Sequence, residues 1–293
     1  MTQGAALPPA AWWREVLERA QRAPPLQPRH TLWLQAQGAP RRIGSLAPVL
    51  ADMLAQPHRG EPAWIEPLPA SGSTRGAPAV AAWRVRTDAD HRAAIDERLA
   101  ALALSLRKRG LSGPWRDELL AVEDDSGLRV GAIERGAVRP LGITTRAVHL
   151  VGRTADGRHW IQQRSARKAN DPGKLDTLMG GMISAADTLA LALEREIWEE
   201  AGLRMASLQQ LRAVGRVSID RPSSQAEGMG HVHEHIDCYQ AVLPEGVEPV
   251  NQDGEVDAFF CMDEGELLAR LARDEFTLEA ALVLGAAWGW PMR

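Results

Sequence analysis

The sequence predicts an α+β protein in two parts, a smaller α/β segment over residues 1–139 and a larger mixed segment over residues 140–293. Three observations carry this expectation. Short apolar runs of strand character alternate with runs of helical period along the chain. The character of the sequence changes at Arg139-Pro140-Leu141-Gly142. A short helix ending at Gly202 gathers acidic residues on one side, just after a Gly-Gly turn. A chain of 293 residues suffices for one large domain or two ordinary ones, and 45% hydrophobic with 25% charged residues matches a soluble globular composition.

Each element follows from local pattern. Trp12, Trp13, Val16 and Leu17 recur at helical spacing and predict a helix over 10–23, stopped by Pro24-Pro25. A strand is expected over 31–36, a helix over 46–56 closed by Pro57, a loop over 67–76 and a strand over 79–85. A long helix follows over 88–109, with Asp88 or Asp90 as N-cap and Gly110 past its end. Strands at 115–123 and 128–133 flank Asp124-Asp125-Ser126-Gly127. In the second part, strands at 144–151 and 159–163 are joined through Asp156-Gly157. Asp171-Pro172-Gly173 marks a turn, and a strand over 175–179 runs into Gly180-Gly181. The acidic helix covers 186–201 and ends at Gly202, a residue suited to the left-handed C′ position. Strands at 211–219, 233–242 and 255–262 precede a helix from about Gly265 that joins the apolar segment Leu278–Trp290.

Composition excludes several classes. A net charge of −4, from 34 basic and 38 acidic residues, argues against a general nucleic-acid surface. No run reaches the roughly 18 apolar residues that a membrane span needs. Met1–Pro9 has neither a charged nor an apolar signal region, so a cytoplasmic protein is expected. Cys238 and Cys261 form no zinc spacing and no disulfide framework.

The chemistry sits in Glu196, Glu199 and Glu200, which fall within an arc of roughly 100° on a helical wheel. Like charges at these spacings repel by roughly 0.2–0.5 kcal/mol per pair. Such a cluster calls for a cation, and carboxylate oxygens select a hard divalent ion, Mg²⁺ or Mn²⁺. Ala190, Leu193, Ile197 and Ala201 supply a neighbouring apolar face, which anchors the acids to a scaffold. Asp187 stands where it can cap the helix or complement its dipole.

Gly181, Asp187, Arg195-Glu196, Ile197, Glu199-Glu200 and Gly202-Leu203 together closely resemble the Nudix box. Asp187 stands where that family usually has Glu, a swap that keeps the charge and shortens the reach by one methylene. The resemblance covers about residues 143–290 and implies an α/β/α sandwich. It implies that Glu196, Glu199 and Glu200 bind metal, with the Gly180 carbonyl as a further ligand. It gives Arg195 the structural role of orienting a box glutamate, beside Gly181, Asp187 and Gly202 as structural box residues. The implied activity is cleavage of a small-molecule diphosphate, with Glu196 as the first candidate base and Glu255, in Asp253-Gly254-Glu255-Val256, as the second.

The flanking segments narrow the expected substrate. Trp115-Arg116-Asp117-Glu118, Asp171-Pro172-Gly173-Lys174-Leu175-Asp176 and Glu227-Gly228, with an N-terminal part of about 135 residues, resemble a Nudix group related to thiamine pyrophosphokinase. That resemblance implies hydrolysis of thiamine diphosphate, preferentially its oxo and oxy forms. Lys174, Arg164, Lys168 and Trp115 are candidate substrate contacts. Trp160, Trp198, His231, His233 and His235 are candidate ring-recognising groups, and the three histidines alternate along one strand face. The alternatives are hydrolysis of ADP-ribose, a dinucleotide or a nucleoside triphosphate, an isomerase like the isopentenyl diphosphate enzyme, and a non-catalytic ligand sensor. The N-terminal part is expected to shape the pocket or an oligomer interface such as that of a homodimer.

Overall fold

The structure, a computed structural model, describes residues 9–21, 28–68, 82–87 and 91–292. The Pro24-Pro25 stop, most of the 67–76 loop, the start of the 79–85 strand and the Asp88 and Asp90 caps lie outside the described residues.

The first part of the chain builds a four-stranded sheet in the order β2-β1-β4-β3, from β1 (His30–Gln35), β2 (Arg41–Leu46), β3 (Glu66–Leu68) and β4 (Ala82–Arg86). Strand β1 is antiparallel to β2 and parallel to β4. Strand β2 was not expected, because Arg41-Arg42-Ile43-Gly44 has no alternating pattern. Pairing with β1 makes it a strand, and long-range packing seats it: a side chain at Gly44 would collide with the Leu141 carbonyl, and Ser45 N donates to that carbonyl at 3.0 Å. Helices α2 (Pro48–Leu54) and α3 (Arg92–Lys108) contribute Leu50, Leu54, Leu99, Leu102 and Leu106 to the core beside this sheet. Within the described residues His91 caps α3, its ring accepting from Ala94 N. The hairpin β5 (Leu119–Glu123) and β6 (Arg129–Glu134) adds Leu120, Val122 and Ile133 to the same core. The chain then passes through the short, unforeseen helix α4 (Arg135–Val138).

A seven-stranded sheet dominates the second part. Its main path is β11-β12-β7-β8-β13, formed by β7 (Thr145–Arg153), β8 (His159–Arg164), β11 (Gln209–Ser223), β12 (Gly230–Val242) and β13 (Val256–Met262). The single strand expected over 175–179 is two short ones, β9 (Leu175–Asp176) paired with β8 and β10 (Met179–Met182) paired with β7. The first half pairs with β8 and the second with β7, and the pairing changes partner at Thr177-Leu178.

Period-2 alternation sends successive side chains to opposite faces. Along β7, Val148 and Leu150 pack with Leu193 and Ile197 of α5 (Leu189–Ala201), whereas Ala147 and Val151 pack with Leu278 and Leu282 of α7 (Leu278–Ala287). The result is a sheet between helices. The expected C-terminal helix is two, α6 (Glu264–Ala272) and α7, separated at Asp274, whose φ of 56° breaks the helical path. Helix α1 (Ala10–Ala20) is far from its neighbours in sequence: Trp13 packs on Trp290 at 5.0 Å and donates to the Pro291 carbonyl at 2.6 Å. No helix among the described residues is long and apolar enough to cross a membrane.

Candidate metal centre

Helix α5 starts one turn later than the pattern suggested. Thr188 is its N-cap, accepting from Leu191 N at 3.3 Å, and Asp187 instead receives Arg195 at 3.0 Å. Gly202 ends the helix in the left-handed conformation, with φ of 64°. The buried face comprises Ala192, Leu193, Glu196, Ile197, Glu200 and Ala201; Ala190, expected there, is exposed. Two acids therefore lie on the apolar side of the helix.

The two glycines of the preceding strand have separate steric reasons. A Cβ on Gly181 would overlap the Glu196 carboxylate, and one on Gly180 would overlap the His149 ring. The Gly-Gly pair thus brings a carboxylate against one face of β10 and an imidazole against the other. Gly180 N donates to Glu200 Oε2 at 2.9 Å. A strand residue's N–H and C=O project to the same edge, so the Gly180 carbonyl shares the edge that meets Glu200.

Charge is unbalanced here. Arg195 bridges Asp187, Glu196 and Glu199, at 3.0, 2.9 and 2.9 Å. Lys168 bridges Glu200 at 3.1 Å and Glu255 at 2.5 Å. Five carboxylates share two cations. Burial, with Glu200 and Glu199 adding repulsion against Arg195, pushes the Glu196 carboxyl up to about 8. Burial also raises Glu200, against the donors Lys168, Gly180 and Gln162. Glu255 is held below the usual carboxylate range, because Lys168, Arg135 and Arg116 outweigh the cost of its partial burial. Lys168 itself is raised, burial being overcome by Glu200 and Glu255.

These residues fit a hard divalent cation by their donor chemistry. Glu196, Glu199, Glu200 and the Gly180 carbonyl offer only oxygen, and two of the carboxylates are kept out of water, where their mutual repulsion is strongest. Among the described residues, no three acidic or histidine side chains stand as a closed cluster; Arg195 and Lys168 supply the positive charge in this arrangement.

The remaining candidates divide. Glu255, expected from a separate segment, is brought to Glu200 through Lys168. Lys174 contacts Asp171, Asp274 and the Phe276 carbonyl, none of them a box residue. Arg164 is engaged by Asp176 and the Asn170 carbonyl. Trp115 lies under the Arg107 guanidinium, 4.5 Å from it, next in sequence to the Arg116 that acts on Glu255. Trp198 is exposed on the outer side of α5 with Arg204 over its ring. Trp160 is packed against the core beneath α5. Sequence reasoning passed over Gln162, fully buried on β8, whose amide donates to Glu200 at 3.0 Å. A polar residue at a buried strand position is the only signal that could have found it. Arg135, beside Glu118 at 2.7 Å, was also missed.

Sheet, flanking helices and an acid-rich helix seated on a Gly-Gly strand define an α/β/α sandwich protein built around a cation-seeking cluster. Residues 143–281 match the NUDIX domain family. The chain is 33% identical over 174 residues to Nudix hydrolase 24, chloroplastic, of Arabidopsis thaliana, covering 56% of this chain and 46% of that protein. It is 32% identical over 178 residues to Nudix hydrolase 20, chloroplastic, of the same plant, covering 58% and 46%. The chain thus spans about half the length of the curated relatives it matches. Among solved structures, the DR0079 protein of Deinococcus radiodurans is 24% identical with a TM-score of 0.46, over 58% of this chain and 99% of that one.

Proposed function

We propose that the protein is a divalent-metal-dependent diphosphohydrolase that cleaves thiamine diphosphate-type compounds, the oxo and oxy forms foremost, to the monophosphate and phosphate. The observation that carries the hydrolase reading is the set of five carboxylates sharing two cations around Gly180-Gly181. Nudix hydrolases of known name among the relatives support it. The thiamine reading rests on the flanking segments around Trp115, Asp171–Asp176 and Glu227-Gly228.

Glu196, Glu199, Glu200 and the Gly180 carbonyl would hold Mg²⁺ or Mn²⁺. When bound, the metal polarises phosphoryl oxygens and lowers the pKa of water. Arg195 holds Glu196 and Glu199 in place, and Gln162 with Gly180 N orients Glu200. A water oxygen bonds to phosphorus as the bridging P–O bond breaks. The water's proton passes to a carboxylate, with Glu196 the first candidate and Glu255, ionised beside Lys168, the second. Lys168 and Arg135 place positive charge beside Glu255.

The test is turnover of thiamine diphosphate, its oxo and oxy analogues, ADP-ribose and NADH with Mg²⁺, followed as released phosphate or phosphomonoester. Faster hydrolysis of the thiamine compounds is expected, and comparable rates on all substrates overturn that assignment. Unchanged turnover in Glu199→Gln overturns the metal centre.

A further inference from the structure

A cavity of about 650 Å³ lies away from the box carboxylates, between the N-terminal sheet and the edge of the seven-stranded sheet. A volume of this size holds a small organic molecule. Arg29, Gly44 and Ser45 line it from one side; Arg146 of β7, Arg216 and Asp220 of β11, and His231, His233 and His235 of β12 line it from the other. The three histidines unexplained by the metal centre all meet here.

Positive charge is gathered on the wall of Arg29, Arg146 and Arg216, and the acids Glu123, Asp124 and Asp125 lie on the opposite rim. The Arg29 guanidinium is partly buried and, among the described residues, donates to neutral oxygens: Ser45 Oγ, the Ser45 carbonyl and the Met229 carbonyl, each at 2.8 Å. Its burial brings it down to about 10, with only Asp220 compensating. Asp220 is itself shared, lying 2.5 Å from His231 Nε2 and 3.3 Å from His233 Nδ1. Arg146 and Arg216 divide one carboxylate, Asp237, at 2.8 Å each. Three guanidiniums therefore stand against two carboxylates, one of which also serves two imidazoles. His235 is lowered, first by burial and then by His233, Arg216 and Arg146, which agrees with a positive field at that wall. The acids on the opposite rim, Asp124 and Asp125, pair with Arg41 at 3.2 Å and Arg42 at 3.7 Å, while the rim acid Glu123 adds negative charge on that side. Among the described residues no aromatic ring other than these imidazoles lines the cavity, and charge and hydrogen bonds dominate its described walls.

We infer that this cavity is an anion site, separate from the metal centre, that takes the phosphate group of a small molecule between Arg29, Arg146, Arg216 and His233. Guanidinium forks match phosphate oxygens in geometry as well as charge. The site lies on the same sheet face as α5: Arg146 is two residues from Val148, which pairs with Gly181. The inference does not depend on the hydrolase reading, because binding and not turnover reports it.

The experiment titrates inorganic phosphate into the full chain labelled with ¹³C-histidine, without divalent metal, and follows the imidazole resonances. Saturable shifts of His233 and His235 are expected. Arg216→Gln, at a half-exposed position, and His233→Asn should each weaken the phosphate Kd by about tenfold, while Glu199→Gln leaves it unchanged. An unchanged Kd in both cavity variants, absence of saturable shifts at these histidines, or loss of binding in Glu199→Gln overturns the assignment.

Discussion

Two buried glutamates on opposite faces of the same sheet respond oppositely to burial. Glu234, on the α7 face of β12, accepts from Arg139 at 2.9 Å and Thr145 at 2.8 Å, and those donors hold it below the usual carboxylate range despite its burial. Glu200, on the α5 side, has three donors to the two of Glu234, yet it is raised. Lys168 is divided between Glu200 and Glu255, and Glu196 lies close enough to be raised by Glu200. A buried acid with its own counter-ion holds structure together. A set of acids with too few counter-ions is arranged for a cation that comes from outside.

The comparison breaks first at Glu234. Replacing Glu234 by Ala leaves Arg139 largely buried without its partner and should cost about 3–5 kcal/mol of stability in urea unfolding. A loss below about 1 kcal/mol would remove the contrast between a structural pair and an uncompensated set.

A third buried titratable group sharpens the point by having no hydrogen-bond partner among the described residues. His159 is 1% exposed, neither ring nitrogen has a hydrogen-bond partner among those residues, and its ring packs edge-on to Trp288 at 5.3 Å. Burial, with Arg153, brings its pKa down to about 4 from 6.5. Between those values the unfolded chain binds the proton and the folded chain does not. Stability should therefore fall as pH drops from 6.5 toward 4, by on the order of 3 kcal/mol from this group. His159→Phe should flatten that part of the pH–stability curve; an unaltered slope would mean that the imidazole is charged in the fold.

The smallest expected effect is in some respects the most informative. Glu196→Gln should lower turnover by about 10²-fold, comparable to losing one preorganised electrostatic contact to a transition state. The same variant should leave thermal stability equal or higher, because it relieves repulsion from Glu199 and Glu200. A loss of stability with full turnover would make the cluster structural, as at Glu234.

Much of this was legible before any coordinates. The order and kind of most elements followed from period and punctuation, because hydrophobic spacing and Gly-Pro signals act over a few residues. The same range sufficed for Glu196, Glu199 and Glu200, which share one helix face, and for Gly202, which ends it. The exceptions have physical causes. Strand β2 is held by pairing with β1 and seated by the Leu141 carbonyl almost a hundred residues away. The break between β9 and β10 depends on which neighbour each half can reach. Thr188 displaced Asp187 as the cap because Arg195, two turns along the helix, claims the aspartate.

By itself, then, the sequence determined the carboxylate helix, its glycine approach and the resemblance to the Nudix box that these residues carry. Tertiary structure alone decided the charge balance: that Lys168 joins Glu200 to Glu255, that Gln162 steadies Glu200 from another strand, and that His231, His233 and His235 meet Arg29 across a cavity. Spacing along one element is set by a repeat of a few residues. Which charges meet, and whether they balance, is set by contacts between segments far apart in the chain.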